Sequence, residues 1–130
     1  EKGFSFNIRR SVSLPPEKAY FYFTNAYNLE QWLSPYLNIE LKVGGRFNFV
    51  DIAELTFVKI SPNKLLRFEL KTLIEGAVSK LDIEFLGKKN QKTTIKMVHS
   101  QLRSQNEVDE YKAYWDSMLN VFKIYTSSKT

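Results

Sequence analysis

The chain of 130 residues has no cysteine, a single histidine, five glycines and four prolines. Without cysteine it can form neither a disulfide bridge nor a thiolate metal site, and this composition fits a reducing compartment. No run of about 18 apolar residues is present, so we expect no insertion into a membrane. The start of the chain does not resemble a signal peptide. These absences predict a cytoplasmic protein with no metal and no other cofactor.

Large apolar side chains, by contrast, are plentiful. Hydrophobic residues make up 43% of the chain and aromatic residues 15%, with ten Phe, seven Tyr and two Trp. A chain of this length forms one domain with room for a sizeable core. We expect residues 1–126 to make up that domain and residues 127–130 to be a frayed tail. The aromatic surplus can fill the core or line a cavity.

The segment from Asn106 to Lys123 has the spacing of an amphipathic helix. Its apolar residues recur at intervals of three and four, which places them on one broad stripe: Val108, Tyr111, Trp115, Met118, Leu119 and Phe122. The opposite face is charged or polar. Because no other predicted element has so large an apolar stripe, this helix is the expected cover for a sheet.

Most of the chain before this helix alternates polar and apolar residues, which is typical of half-buried strands. The first strand begins near Phe4, and Pro15-Pro16 then favour the first turn of a helix. A second short helix around Trp32 stops before Pro35. Two short helices are therefore expected after the first strand.

From Ile39 onward, the period of two returns. We expect Gly44-Gly45 to form a hairpin turn between a strand at Ile39–Val43 and a strand at Phe47–Phe49. The last strand ends near His99, and a polar loop from Ser100 to Gln105 leads to the long helix.

For one predicted strand, Glu54–Ile60, the alternation does not decide which side chains face inward. Leu55 and Phe57 compete with Val58 and Ile60 for the buried side. Strands joined by short turns form an antiparallel meander, whose apolar face needs a cover. We therefore predict an α+β fold. A curved antiparallel sheet of about six to seven strands wraps around the long C-terminal helix, and the two short helices follow the first strand.

The formal net charge is +5, and part of it is concentrated at a predicted hairpin tip at Gly87–Gln91. Five lysines bracket this tip: Lys80, Lys88, Lys89, Lys92 and Lys96. The preferred interpretation is a solvated strand edge, since lysines prevent exposed edges from pairing. The alternative is contact with a phosphate or an anionic lipid. Basic and aromatic residues do not interleave as in single-strand binding grooves, so no nucleic-acid partner is expected.

Six motifs, in the same order, resemble those of one protein family: IRRSVSLPPEKAYFYFTN, LEQWLSP, LKVGGRFNF, FVKISPNKLLRFEL, IKMVHS and YWDSMLNVFK. They are similar to the START-like (SRPBCC) superfamily and, within it, to the family named for the activator of the heat-shock-protein-90 ATPase. The resemblance covers roughly Phe6 to Phe122 and implies a helix-grip fold. It also implies a hydrophobic or lipid ligand, or a chaperone partner and a role in stress response.

The chain departs from the family pattern at two places. The family usually has glycine immediately before the tryptophan of the closing helix, where this chain has Tyr114. It often has a glycine between the strands around Asp51–Glu54, where this chain has none. Both departures concern the shape of a pocket. The resemblance implies no shared catalytic residues, and the chaperone-activating members carry this unit beside another domain.

The candidate ligand-binding residues are large side chains expected on the inner faces of the strands and helices: Trp32, Phe47, Phe68, Phe85, Met97, Trp115, Met118 and Phe122. His99 and Tyr111 would orient the ligand. The alternative for the aromatic residues is plain core packing. For His99, the alternatives are a hydrogen bond at the end of the sheet and a general base. No carboxylates stand at metal-ligand spacing from this histidine.

Three functional hypotheses follow. The first is a module that binds a small hydrophobic or aromatic molecule, since apolar ligand sites are lined in this way. The second is a protein-interaction module, similar to a co-chaperone, whose basic surface meets an acidic partner. The third, ranked last, is an enzyme of the cyclase or dehydratase kind with His99 as acid or base. Nothing in the sequence demands a dimer, so we expect a monomer.

Overall fold

The structure, a computed structural model, describes residues 3–32, 41–49, 53–72 and 76–127, without the side chains of residues 26 and 47–49. Its elements in chain order are β1 (Phe4–Val12), α1 (Pro16–Thr24), α2 (Ala26–Trp32), β2 (Arg46–Phe49), β3 (Ala53–Ser61), β4 (Leu65–Thr72), β5 (Val78–Lys88), β6 (Lys92–Leu102) and α3 (Gln105–Ser127).

The strands form one six-stranded sheet in the order β1-β6-β5-β4-β3-β2, and every neighbouring pair is antiparallel. Strands β2 to β6 make the predicted meander, and β1 closes the far side by pairing with β6. Met97 lies opposite Ile8 on one side and Ile83 on the other, so these three side chains share the inner face. With α3 packed chiefly against β1, this arrangement confirms the predicted α+β helix-grip fold.

The connection from β1 to α1 follows the sequence closely. Val12 and Leu14 are 3% and 2% exposed, and the hydroxyl of Thr93 donates a hydrogen bond of 2.6 Å to the carbonyl oxygen of Leu14. Helix α1 begins at Pro16. Proline has no amide hydrogen, but at the first position of a helix this loses no hydrogen bond within the helix. The buried carbonyl before the helix is therefore paired, as buried backbone groups must be.

A β-bulge decides which side chains of β3 face inward. Phe57 lies opposite Phe68 and Lys59 lies opposite Arg67, so Val58 is the extra residue of the bulged strand. Val58 is 48% exposed, whereas Phe57 is 1% exposed. The bulge changes the parity, so that Ile60, opposite Leu66, returns to the inner face. Leu55 and Phe57 thus face inward before the bulge, and Ile60 faces inward after it, so each alternative applies on one side of the bulge.

The expected hairpin around Gly44-Gly45 differs from the structure. Leu41 and Val43 are 46% and 65% exposed and do not belong to a strand, and residue 39 lies outside the described residues. The amide of Gly45 donates to the carbonyl of Lys42 at 2.8 Å, and Gly44 has φ +89°. The glycines therefore form a tight turn that leads into β2, where a residue without Cβ adopts positive φ at no steric cost.

The end of β6 also differs from the sequence prediction. Ser100 to Leu102 belong to the strand, and Phe4 and Phe6 lie opposite Leu102 and His99, so β6 has an extra residue there. The strand accommodates this extra residue at Gln101, which has φ +63°. The predicted polar loop shrinks accordingly. The alternation of polar and apolar residues did not predict that β6 extends to Leu102, because the bulge interrupts the period of two.

Helix α3 begins one residue before the predicted start. The amide of Glu107 donates to the hydroxyl of Ser104 at 3.2 Å, and the Glu107 carboxylate accepts a hydrogen bond from the Arg103 amide at 2.7 Å. Ser104 and Glu107 have the spacing of a capping box. Satisfying these amides at the helix start fixes where α3 leaves the sheet.

The apolar stripe of α3 is buried as predicted, apart from Tyr111, which is partly buried. The helix continues through Thr126, which is 2% exposed, to Ser127. The frayed tail predicted for residues 127–130 stays a prediction, since residues 128–130 lie outside the described part. Within that part, no helix has the length and apolar character needed to cross a membrane.

Candidate functional site

One end of the interior is filled by a cluster of aromatic rings from α1, α2, β5 and α3, which we call the ring cluster: Tyr20, Phe23, Trp32, Phe85 and Phe122. The ring centroids of Phe23, Trp32 and Phe122 lie 4.8–5.1 Å apart, in tilted and edge-on arrangements. Phe85 joins at 5.6 Å from Phe23 and 5.7 Å from Tyr20. These are the favoured separations and angles for aromatic pairs. The rings contact one another and so fill this end of the interior.

Polar groups around the ring cluster tie the three helices together. The indole N–H of Trp32 donates to the carbonyl of Tyr22 at 2.9 Å. The hydroxyl of Tyr125 donates to the side-chain oxygen of Asn28 at 2.5 Å. Tyr22 and Tyr125 also pack edge to face, with centroids 6.1 Å apart. Each of these contacts joins two helices, so they hold the α1–α2–α3 junction in place.

The other end of the interior, which we call the His99 end, is built around a hydrogen-bonded chain of buried side chains: Ser79, His99 and Trp115, with Tyr111 packed beside them. The indole N–H of Trp115 donates to Nδ1 of His99 at 3.0 Å. An indole nitrogen can only donate, so Nδ1 is the unprotonated nitrogen and Nε2 carries the hydrogen. Nε2 then donates to the Ser79 hydroxyl at 2.8 Å.

Burial determines the charge state of His99. The side chain is 0% exposed, and this loss of solvation lowers the pKa of His99 to about 4, although the negative charge of Glu107 acts in the opposite direction. The imidazole is therefore neutral near pH 7. Both ring nitrogens are engaged, and Nε2 donates to Ser79 rather than accepting its proton. In this tautomer His99 cannot serve as a general base toward Ser79.

Aromatic rings surround the histidine. Its ring centroid lies 4.6 Å from that of Tyr111 and 5.7 Å from that of Phe6. Tyr111 stacks near Trp115 with an interplanar angle of 15°, and Tyr114 meets Trp115 edge-on at 5.1 Å. Burial raises the pKa of Tyr114 to about 12. Thus the bulky residue at the position where the family usually has glycine is a neutral phenol that is half-buried against the core.

The inner face of β3 and β4 adds a third apolar surface. Phe57 and Phe68 lie opposite each other, with ring centroids 4.8 Å apart, and they are 1% and 4% exposed. Leu55 and Leu70 flank them at 3% and 0%. Among the described residues, the backbones of the helices approach β1, β5 and β6 most closely. All four side chains belong to the same hydrophobic core as Trp115 and Met118 of α3, so the inner face of β3 and β4 is buried.

The structure divides the candidate ligand-binding residues among these regions. Trp32, Phe85 and Phe122 belong to the ring cluster, while His99, Tyr111 and Trp115 form the His99 end. Phe68 lies on the inner face of β4. Met97 and Met118 are 0% and 8% exposed and belong to the common core. The side chain of Phe47 lies outside the described part.

Phe23, Phe57 and Ser79 complete these regions and were not among the candidates. A signal existed for each of them. Phe23 shares a helical face with Tyr20. Phe57 belongs to one of the two alternatives for the inward side of β3. Ser79 lies two residues before the buried Leu81 and so points to the same side of the strand. The Ser79 side chain is small and polar, and its hydroxyl is the hydrogen-bond partner of His99.

Two openings lie near the His99 end. A cavity of about 10 Å³, the room for one water molecule, is bordered by Thr72, Ser79, Glu107 and Tyr111 among others. A cleft of about 190 Å³ lies at the outer side of the sheet and is lined by residues of four strands: Val58, Arg67, Phe68, Glu69, Val78, Ser79, Lys80 and Gln101. Across the described ranges, His, Asp and Glu side chains form no group of three that could hold a metal ion.

Comparison with known proteins identifies the family. The family model described as "Activator of Hsp90 ATPase homolog 1-like protein" matches residues 13–127. The chain belongs to this family. It thereby belongs to the START-like superfamily, as the six motifs predicted. The comparison with curated proteins gives no match.

Several solved structures share the fold over nearly all of their length. An HSP90 activator from Plasmodium falciparum is 25% identical, with a TM-score of 0.84, covering 96% of this chain and 97% of that one. A protein from Mesorhizobium loti is 19% identical, with a TM-score of 0.87 and coverage of 98% and 99%. An Aha1 dimer from Colwellia psychrerythraea is 18% identical, with a TM-score of 0.82 and coverage of 92% and 93%. The last two comparisons support the fold alone.

Proposed function

We propose that this domain binds a small hydrophobic or aromatic molecule between α3 and the inner face of β3 and β4. One observation carries the proposal. Leu55, Phe57, Phe68 and Leu70 form a buried apolar wall there, and the backbones of the described helices approach β1, β5 and β6 more closely than this wall. Apolar walls with a few polar groups are the usual lining of small-molecule sites.

The proposed site does not include the ring cluster. Its rings already contact one another, so Trp32, Phe85 and Phe122 act as core residues rather than as a lining. The proposed lining therefore consists of Phe57, Phe68, Trp115 and Met118, with the hydroxyls of Tyr111 and Tyr114 as polar groups. His99 acts indirectly, because its bond to the Trp115 indole fixes the orientation of that ring.

The test compares two phenylalanines with the same burial. Phe68 and Phe85 are each 4% exposed on the inner face of the sheet, but only Phe68 lies in the proposed lining. We expect Phe68→Leu to change the affinity for a fluorescent hydrophobic probe, 8-anilinonaphthalene-1-sulfonate, several-fold. Phe85→Leu should leave this affinity unchanged. Equal effects of the two substitutions, or no binding by the folded wild-type protein, would contradict the proposal.

Native mass spectrometry of protein purified from its own host gives an independent readout. A hydrophobic molecule that co-purifies with the wild-type protein and is lost in Phe68→Leu, but retained in Phe85→Leu, would identify the ligand class. Protein that is empty in every preparation would favour the second candidate function.

That second candidate is a protein-interaction module that acts on an Hsp90-class ATPase. It is favoured by the match to the HSP90 activator from P. falciparum, which extends over nearly all of both chains. The net charge of +5 suits an acidic partner. Adding the purified domain to an Hsp90 ATPase assay should raise the turnover rate, and added salt should weaken the effect. An unchanged rate at low salt would count against this candidate.

A further inference from the structure

The outer face of the sheet, opposite to α3, carries charged side chains that mostly face opposite charges. Arg67 and Asp82 lie on neighbouring strands and form two hydrogen bonds of 3.0 and 3.2 Å. Next to them, Glu69 lies opposite Lys80. Cross-strand pairs of opposite charge stabilise a sheet, whereas like charges directly opposite each other destabilise it.

The end of this face at the β5–β6 hairpin has a different pattern. Lys88 lies directly opposite Lys92, and Lys89 is in the turn between them. On the neighbouring strands, Arg9 lies opposite Lys96. We call these five residues the hairpin patch. Its three lysines at the tip are exposed, and like charges are held side by side there.

Edge protection does not account for the whole hairpin patch. Edge protection, the preferred interpretation from the sequence, does not apply to Lys96, because β6 lies between β1 and β5. Lys59 also lies opposite a cation, Arg67, but that cation is neutralised by its bonds to Asp82. Within the strands that the structure describes, Glu84, opposite Lys96 on β5, is the one acidic residue in register with the patch. A strong local positive charge therefore remains.

We propose that the hairpin patch docks this protein on a bilayer surface that contains anionic lipids. Four of its five cations are lysines, which are depleted from protein–protein interfaces, where arginine is enriched. Lysine is a flexible point charge without the planar fork that recognises a single carboxylate or phosphate. Clusters of lysine suit a diffuse negative surface, where each contributes to binding without defined geometry.

An exposed apolar residue stands within the hairpin patch. Leu86 is 41% exposed and precedes Lys88 by two positions on β5, so both side chains point to the outer face. A leucine next to Lys88 can enter the headgroup region while the charges remain at the surface. The amino group of Lys88 also contacts the hydroxyl of Ser11 at 3.3 Å, which positions one charge on the β1 side.

Sedimentation with vesicles tests the proposal. The wild-type protein is mixed with vesicles of phosphatidylcholine, with or without phosphatidylserine. We compare it with the triple variant K88Q/K89Q/K92Q and with the control K59Q/K112Q/K123Q, which removes the same charge from exposed positions elsewhere. Since one lysine near the surface contributes roughly fivefold, the patch variant should bind about a hundredfold more weakly. The control should bind nearly as well as the wild type.

Several outcomes would overturn the proposal. They are no binding of the wild type to phosphatidylserine vesicles, equal loss in the two triple variants, and tighter binding of the patch to a polyglutamate peptide than to vesicles. The last result would make the patch a site for an acidic protein. Leu86→Ser, which keeps all the charges, should weaken vesicle binding and leave polyglutamate binding unchanged. A thermal melt of the patch variant should show unchanged or higher stability, since a like-charged pair is removed.

Discussion

The ring cluster and the His99 end are both made of buried aromatic side chains, but they are held together by different interactions. In the ring cluster, Phe23, Trp32 and Phe122 contact one another through their rings. At the His99 end, the rings are arranged around a chain of hydrogen bonds from Trp115 through His99 to Ser79. Ring packing depends on volume and is insensitive to pH, whereas the hydrogen-bonded chain depends on the protonation of one imidazole. The two ends should therefore respond to different perturbations.

The largest effect is expected from removing a ring of the ring cluster. Phe122 is 0% exposed, and Phe122→Ala should lower the free energy of unfolding by about 3–5 kcal/mol, because it loses buried area and leaves a cavity. Urea unfolding measures this change. Val121→Ala, at a 46% exposed position of the same helix, is the control and should change stability little. A cost below about 1 kcal/mol for Phe122→Ala would mean that the cluster is loosely packed.

Acid should act on the His99 end alone. The pKa of His99 is about 4 in the folded protein, below the usual value of 6.5, so between these pH values the unfolded chain binds one more proton. Stability should therefore fall as the pH drops from 6.5 to 4, by about 3 kcal/mol in all. Urea titrations across this range measure the slope.

The control for this pH dependence is His99→Gln, which should remove most of the slope between pH 6.5 and 5. Glu107 faces the histidine, and its pKa is lowered mainly by its hydrogen bond to Arg103. The stability that this carboxylate contributes is lost only below its ordinary value of 4.5. An unchanged slope in His99→Gln would show that other groups cause the acid sensitivity.

A smaller effect is expected from deleting a single indole donor. Trp115→Phe keeps an aromatic ring but leaves Nδ1 of the buried His99 without its donor, which should cost about 1–3 kcal/mol. Trp32→Phe removes the matching donor at the ring cluster, where the orphaned group is the partly buried carbonyl of Tyr22. We expect a cost of about 1 kcal/mol there.

The two indole variants also separate the ends by a second measurement. Trp115→Phe should shift the apparent pKa of His99, followed by the imidazole resonances in NMR, whereas Trp32→Phe should leave it in place. Equal shifts in the two variants would mean that the His99 end and the ring cluster are not independent.

The sequence predicted the ring cluster less well than the helix that supplies it. Phe122 and Trp115 were assigned to the buried stripe of α3 from spacing alone, and both are buried. Their division between two regions depends on which strand each ring meets, and no local pattern contains that information. Ser79 shows the same limit, because a serine becomes a partner of His99 only when β5 and β6 pair in register.

The hairpin lysines show how the sheet order changes an interpretation. The sequence placed Lys88, Lys89 and Lys92 correctly around a turn between two strands. It could not show that β5 and β6 are central strands, since strand order depends on where β1 inserts. Because β1 and β5 flank β6 at Lys96, edge protection no longer explains this residue, and the like-charged pairs become the feature to account for.

The sequence by itself determined the element types, the meander of strands and the apolar stripe of α3, because the periods of two and of three to four are local properties of the chain. The tertiary structure alone decided the bulges at Val58 and Gln101, the tautomer and pKa of His99, and the pairing of charges on the outer face. Each of these depends on contacts between residues far apart in the chain, whose energies exist only after the sheet has formed.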